Sequence, residues 1–455
     1  MALSVIILAA GQGTRMRSDM PKVLHAVGGQ PMLAHVIQSA EKLNPDCVHI
    51  VHGHGGERVK SALTDYTVTW VKQEQQLGTG HAVKQALPAI RDDHHVLVLY
   101  GDVPLIQAST LSALYDLAQR YDVALLTVSL NQPKGYGRIV RNTGGNVERI
   151  VEEKDASDEI KKITEVNTGI LIAKADKLKA WMNDLNNNNA QGEYYLTDII
   201  EMAVTGGLSV EAHCITDDVT EVMGVNDKLQ LAIVERAFQQ RKTQELMRQG
   251  ATLADPSRVD VRGDVKIGRD VFIDVNAVFE GDITLGDRVE IGPNVYLKDV
   301  YIGDDVTIKP NSVLEEARVG AKSRIGPFAR IRPGTELADA VHVGNFVETK
   351  NAKVASGSKL NHLSYIGDAV VGQNVNVGAG TITCNYDGVN KFVTEIDDNA
   401  FIGSNSQLVA PVKIGEGATI GAGSTITKDA PAGELTLART KQKTIHGWHR
   451  PVKKK

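Results

Sequence analysis

Residues 402–426 read IGSNSQLVAPVKIGEGATIGAGSTI. An aliphatic side chain returns every six positions, at Ile402, Leu408, Ile414, Ile420 and Ile426, and glycine follows three of the five. A six-residue aliphatic repeat with turn glycines is the signature of a β-helix, whose coils bury their aliphatics inward and stack on their neighbours. The same texture begins after Asp255-Pro256, with Ile267-Gly268, Leu285-Gly286, Ile302-Gly303, Ile325-Gly326 and Ile366-Gly367. A β-sandwich would show strands of uneven spacing and no fixed period. Two stretches depart from the repeat. One lies between Thr383 and Ile396 and holds Cys384-Asn385-Tyr386-Asp387-Gly388-Val389-Asn390-Lys391; the other runs from Arg332-Pro333 to Val343. Both are expected to be loops leaving the scaffold, where function tends to sit.

Upstream of the repeat the pattern changes. From Asp227 to Arg248 the residues Leu229, Leu231, Ile233, Val234, Ala237 and Leu246 recur among Gln, Glu, Arg and Lys, which predicts one long helix ending at Gly250. Before it, apolar runs such as Val48–Val51, Val96–Tyr100 and Ala124–Val128 alternate with helical spacing, as over Ser109–Gln119. That alternation predicts an α/β domain with a mostly parallel sheet. The expected organisation is an α/β domain over 1–226, a linker helix over 227–250 and a β-helix domain over 251–455. The length of 455 residues fits more than one core. A net charge of −5 argues against a nucleic-acid partner. No apolar run approaches a membrane span, and Val5–Ala10 is too short for a signal segment. Cys47, Cys214 and Cys384 are scattered and in no metal-like spacing, which favours a reducing, cytoplasmic setting.

The chain's own opening, LAAGQGTRMRSDMPK over residues 8–22, follows the strand-like run Ser4–Leu8 and looks like a phosphate-binding loop. Met16 stands where a dinucleotide fingerprint needs its third glycine, and Gly13-Thr14-Arg15 does not end as a P-loop does. Asp102 follows the strand Val96–Tyr100, at the edge where open parallel sheets bind ligands, although it could also be a helix N-cap. His52-Gly-His54 is a weak metal pair without a third ligand. His94-His95 reads as a polar turn, Trp181 as helix packing, and Lys453–Lys455 as a solvated tail.

The first half carries Leu8-Ala-Ala-Gly-Gln-Gly-Thr-Arg-Met16 with Pro21-Lys22, Gln76-Leu-Gly-Thr-Gly-His81, Tyr100-Gly-Asp-Val-Pro104, Gly135-Tyr-Gly-Arg138, Asn167-Thr-Gly169 and Glu193-Tyr-Tyr-Leu-Thr-Asp198. The second half carries Arg330-Ile-Arg-Pro-Gly334, Gly344-Asn-Phe-Val-Glu348, Cys384-Asn-Tyr-Asp-Gly388 and Gly447-Trp448. In this ordered set, along its whole length, the chain resembles the bacterial bifunctional N-acetylglucosamine-1-phosphate uridylyltransferases / glucosamine-1-phosphate N-acetyltransferases. The resemblance implies a nucleotidyltransferase domain joined by a long helix to a left-handed parallel β-helix of hexapeptide repeats.

By that resemblance Leu8, Ala9, Ala10 and Gly11 line UTP, Arg15 meets its leaving phosphates and Lys22 neutralises the α-phosphate. Gln73, Gly78 and Thr79 read uracil; Tyr100 and Gly101 adjoin Asp102 in the nucleotide site. Gly137, Glu152 and Asn167 hold the sugar, and Asp102 with Asn226 holds Mg²⁺. Asp227 follows Asn226 where a second asparagine is expected, which puts a carboxylate beside the metal ligand. For acetyl transfer, a histidine near neutral pKa suits the proton of the amine, and His362 matches the family base. Arg332, Lys350, Tyr365 and Asn376 match the sugar-phosphate site. Asn385 and Tyr386 orient the amine and, with Ala379, Ser404, Ala422 and Arg439, meet acetyl-CoA. The resemblance further implies a homotrimer that supplies UDP-N-acetylglucosamine for peptidoglycan and lipopolysaccharide, with small-molecule substrates and no nucleic acid or membrane partner.

Overall fold

The computed structural model describes residues 2–53 and 55–453, so Met1, His54, Lys454 and Lys455 lie outside the described residues. The chain forms two compact units, Met1–Phe238 and Gln239–Lys455. The division falls within the long helix Lys228–Arg248. Asp227 caps this helix, its Oδ1 accepting the Gln230 amide at 2.9 Å. The helix stops before Gly250, whose φ of +108° only glycine adopts at low cost.

In the first unit the path of seven strands runs Val210–Ile215, Val123–Ser129, Glu165–Lys174, His95–Tyr100, Leu3–Ala9, Cys47–His52 and Thr69–Lys72. Glu165–Lys174 is antiparallel to both neighbours, and the other pairings on this path are parallel. Its central strands are near-continuous apolar runs because helices cover both faces of the sheet. Leu3–Ala9 and His95–Tyr100 pair in register, Leu8 opposite Tyr100, so the loop after Ala9 and the turn at Gly101-Asp102 leave the same sheet edge side by side. No helix begins at Asp102: the helix of that segment starts at Ala108. His94 and His95 are not a polar turn. Both are buried, and His94 Nδ1 sits 2.8 Å from Ser4 Oγ. Trp181 packs in the helix Ala175–Asp184.

In the second unit parallel strands stack with partners 17 or 18 residues apart, as Ile291 with Ile308 and Ile325 with Val343. Each coil therefore holds three hexapeptides. Three columns of left-handed residues mark its three corners: Asp270, Arg288 and Asp305 in one, Asn276, Asn294 and Asn311 in the second, Gly281, Asp299 and Glu316 in the third. Asn, Asp and Gly fill such positions because their short or absent side chains tolerate φ > 0. Inside, the aliphatics form one continuous core. The expected loop from Arg332 to Val343 is absent. Ile331, Leu337 and Val343 keep the six-residue step, and Glu336–Leu337 is a strand paired with Arg318–Val319 and Lys353–Val354. Ala338 after Leu337, and Ala340 at φ +58°, replace the usual turn residues and hide the repeat. The segment Cys384–Lys391 does leave the coil: the corner steps from Asn374 to Asn399 and from Gly380 to Asn405 lengthen to 25 residues.

Candidate functional sites

The first unit holds a cleft of about 540 Å³ lined by Leu8, Ala9, Ala10, Gly11, Lys22, Gln73, Gly78, Thr79, Tyr100 and Asp102, joined by Gln12, Val23, Gln76, Ala82 and Glu193. The predicted loop and the residues expected to read uracil thus line one cleft. Lys22 Nζ forms an ion pair with Asp102 Oδ2 and lies 3.3 Å from Asn226 Oδ1. Gln73 is buried, its amide donating to the Gly78 carbonyl at 3.3 Å. Arg15 does not line the cleft; it is exposed in the short turn Thr14–Met16. Gly101 lies behind it, its amide on the Leu8 carbonyl at 2.9 Å.

Gly137, Glu152 and Asn167 gather beside Tyr100. The Asn167 amide donates to Gly137 O at 2.9 Å, and a Cβ on Gly137 would stand 3.3 Å from Glu152 Oε1. Burial pushes the Glu152 carboxyl above the ordinary range, with Asp198, Asp155 and Glu193 adding repulsion against a Thr197 hydrogen bond. Burial likewise raises Tyr100, helped by Glu152 and Asp102, so its phenol stays protonated. Asp227 Oδ1 accepts the Gln230 amide in the first turn of the long helix.

In the second unit one corner column carries several of the predicted residues. Asn345 pairs in register with His362, and the His362 carbonyl accepts the Gly380 amide at 3.2 Å. On the following coils Ala379 O accepts the Asn405 amide at 2.6 Å, and Ser404 O accepts Gly423 at 2.8 Å. Arg439 Nη1 donates to Ala422 O at 2.7 Å. His362 is exposed, and its Nδ1 lies 3.1 Å from Asn345 Oδ1. An amide oxygen only accepts, so in this contact Nδ1 is the donor.

Next to that column Arg332 donates to Glu348 Oε1 at 2.7 Å, which raises its already high pKa. Tyr365 stacks on Glu348 in register, and Asn376 lies between Lys359 and Phe401 on adjacent coils. The Lys350 ammonium is pushed below its ordinary pKa by Lys391 first and then by Arg332. Lys391 belongs to the projecting loop and is the residue that motif matching left out. The loop leaves the third corner at Asn385, whose amide bonds Asp368 Oδ2 one coil below, while Asn351 Nδ2 holds Asp368 Oδ1 at 2.7 Å. Tyr386 is exposed, its hydroxyl on Gly388 O at 2.5 Å.

Residues 5–162 match the family model of the MobA-like NTP transferase domain, 261–356 that of the GMPPB C-terminal domain, and 394–428 that of the bacterial transferase hexapeptide (six repeats). "Bifunctional protein GlmU" of Marinobacter nauticus is 59% identical over 99% of this chain and 99% of its own. "Bifunctional protein GlmU" of Alkalilimnicola ehrlichii is 58% identical over 99% of this chain and 97% of its own, and that of Idiomarina loihiensis is 55% identical over the full length of both. The chain belongs to the GlmU family. It is a bifunctional transferase, with N-acetylglucosamine-1-phosphate uridylyltransferase and glucosamine-1-phosphate N-acetyltransferase activities in UDP-N-acetylglucosamine synthesis. The hexapeptide unit of this GlmU-family chain is a left-handed β-helix. Among the described residues no helix is long and apolar enough to cross a membrane.

Proposed function

We propose that uridylyl transfer belongs to residues 1–226 and acetyl transfer to 251–455, with 227–250 as the connecting helix. Acetyl-CoA is the acetyl donor, UTP the nucleotide, and Mg²⁺ the metal of the first reaction. The observation that supports the assignment is the column Asn345–His362–Ala379–Ser404–Ala422–Arg439, in which the histidine expected to act as base and the residues expected to meet the coenzyme share one edge of consecutive coils. The sugar amine attacks the thioester carbonyl, His362 Nε2 takes the amine proton, and the thiol of coenzyme A leaves. Arg332, Lys350 and Lys391 supply positive charge for the sugar phosphate, and Tyr365 and Asn376 hold the ring. The lowered pKa of Lys350 supports this, because ammonium groups crowd so closely where an anion completes the charge balance.

In the first reaction a sugar-1-phosphate oxygen attacks the α-phosphorus and pyrophosphate departs. Such a transition state is stabilised by backbone amides and cations. Residues 8–11 form the cradle, Lys22 neutralises the phosphate, Arg15 meets the outgoing phosphates, and Gln73 with Gly78-Thr79 reads uracil. The Asp102 carboxylate and the Asn226 amide oxygen both face one ammonium, Lys22 Nζ, so two hard oxygens already converge on a cation position. That donor set fits Mg²⁺, which takes few protein oxygens and completes its shell with phosphates; when bound it neutralises the developing charge. Gly137, Glu152 and Asn167 hold the sugar beside Tyr100.

A homotrimer in a reducing cytoplasm completes the reading. The side chains of Phe328, Phe346 and Leu363 stand 49%, 56% and 62% exposed on the corner column of His362, an apolar ridge that a second copy would cover. The assigning experiment follows thiol release from acetyl-CoA with glucosamine-1-phosphate and no UTP, together with pyrophosphate release from UTP with N-acetylglucosamine-1-phosphate. Both signals are expected. Absence of the first would reduce the β-helix to a scaffold. Light scattering is expected to give three chains per particle, and a monomer with full acetyltransferase activity would refute the trimer.

A further inference from the structure

Two segments singled out in the sequence are left without a task by this reading: Gln76, which opens Gln76-Leu-Gly-Thr-Gly-His81, and Gly53, in the middle of His52-Gly-His54. They meet in the first unit. Gln76 reaches across the cleft, its Nε2 donating to the Ala10 carbonyl at 2.7 Å, while its Oε1 accepts Gln12 Nε2 at 2.8 Å. Gly53 is the space that admits it. A Cβ on Gly53 would stand 2.5 Å from Gln76 Nε2 and 2.8 Å from Ala10 O. The φ of Gly53 is not positive, so the missing side chain serves clearance and not backbone freedom.

We infer that Gln76 is a positioning residue for the nucleotide loop, that it holds the Ala10 carbonyl away from the bound phosphates, and that Gly53 is glycine to make room for it. The inference rests on the reading of this cleft as the nucleotide site. In a trans peptide the carbonyl oxygen and the following N–H point in opposite directions. Capturing the Ala10 oxygen therefore fixes the Gly11 N–H on the far side of the same peptide plane. An anion cradle needs its N–H groups aimed and its carbonyl dipoles withdrawn, since a free carbonyl oxygen would repel phosphate. Gln76 accomplishes this with a neutral amide, whose second polar end is occupied by Gln12. The bond to Gln12 is exposed and contributes little; the bond to Ala10 is the working one.

The test uses the full-length protein. UTP binding is measured by calorimetry with MgCl₂ present, and uridylyl transfer is resolved into kcat and KM for UTP. Gln76→Ala is expected to weaken UTP binding and raise KM about tenfold, the scale of a lost and unreplaced hydrogen bond, with kcat changed less than about twofold. Gly53→Ala displaces the amide without altering it, and is expected to reproduce the same shift. The double variant is expected to be no worse than either single one, because both remove one contact. Acetyl transfer by each variant, measured on the same samples, is expected to match wild type and reports a folded chain. Wild-type binding that is unchanged in Gln76→Ala and Gly53→Ala overturns the inference, as does a loss confined to kcat or an additive double variant. Failure of wild type itself to bind UTP overturns the reading of the cleft instead.

Discussion

The two units of this chain build their sites by opposite means. In the sheet unit the partners are remote in sequence: Lys22 meets Asp102 and, 204 residues away, Asn226. In the β-helix unit they are one coil apart. His362 meets Asn345 at a separation of 17, Asn385 meets Asp368 at 17, and Arg332 meets Glu348 at 16. A parallel sheet gathers its strand ends at one edge through long crossovers, so a site there collects whatever the βα turns carry. A stacked coil carries no crossovers, and a site on it is a column with the period of the fold.

The sharpest way to break this contrast is to test whether each site works without the other. His362→Ala should lower acetyl transfer about a thousandfold, the reach of a general base, and leave pyrophosphate release from UTP within about twofold. Parallel assays of thiol and pyrophosphate release check it; equal losses in both would mean that the sites are one. Next in size, Asp102→Asn should cost uridylyl transfer about a hundredfold and spare acetyl transfer, since it removes the carboxylate proposed to hold Mg²⁺ at the phosphates. A loss that extra Mg²⁺ partly restores is the expected pattern.

A smaller effect sharpens the columnar half. Lys391→Ala should raise KM for glucosamine-1-phosphate about tenfold with kcat nearly kept, as loss of one charge-assisted contact does. In the same variant the Lys350 ammonium, relieved of its largest neighbour, should titrate at higher pH, which NMR of the lysine side chain reads out. An unchanged Lys350 titration would place the loop elsewhere in solution.

The smallest effect concerns the acidic corner of the sheet unit. Burial, with Glu201 and Asp155 nearby, raises Asp198 to about 6. A raised carboxyl keeps its proton in the folded state after the unfolded chain has lost it, so stability declines as pH rises from about 4 to about 6 and is level above. Asp198→Asn should remove that decline and stabilise the protein at pH 7 by about 1 kcal/mol, a figure reduced for the solvent that reaches this half-buried group. Thermal melts at pH 4.5 and 7 check it; a variant that gains nothing at pH 7 would show that the charge is already accommodated.

Where the sequence reading went astray, the cause is specific. Between Ile331 and Val343 the aliphatic step of six was intact, yet Ala338 and Ala340 stood where glycine or asparagine usually mark the turn, and the repeat read as a break. His94 and His95 carry polar labels, but one closes a hydrogen bond to Ser4 and the other starts a central strand. Lys391 carries no signal of its own, and Gln76, though it opens a motif, shows no task in the sequence: both gain meaning only from what faces them.

What the sequence by itself determined is what local repetition and local chemistry can encode. The six-residue step specifies the coil, because each aliphatic must point inward whatever the distant chain does. The alternating runs specify a mostly parallel sheet, and the ordered motifs specify the two transfer reactions. What only the tertiary structure decided is which groups stand together: Asn226 on Lys22, Lys391 on Lys350, Gln76 on Ala10 in the space left by Gly53. The physical reason is that a hydrogen bond or a charge contact acts over a few ångströms. The chain brings such partners within reach only after its sheet edges and coil corners have formed.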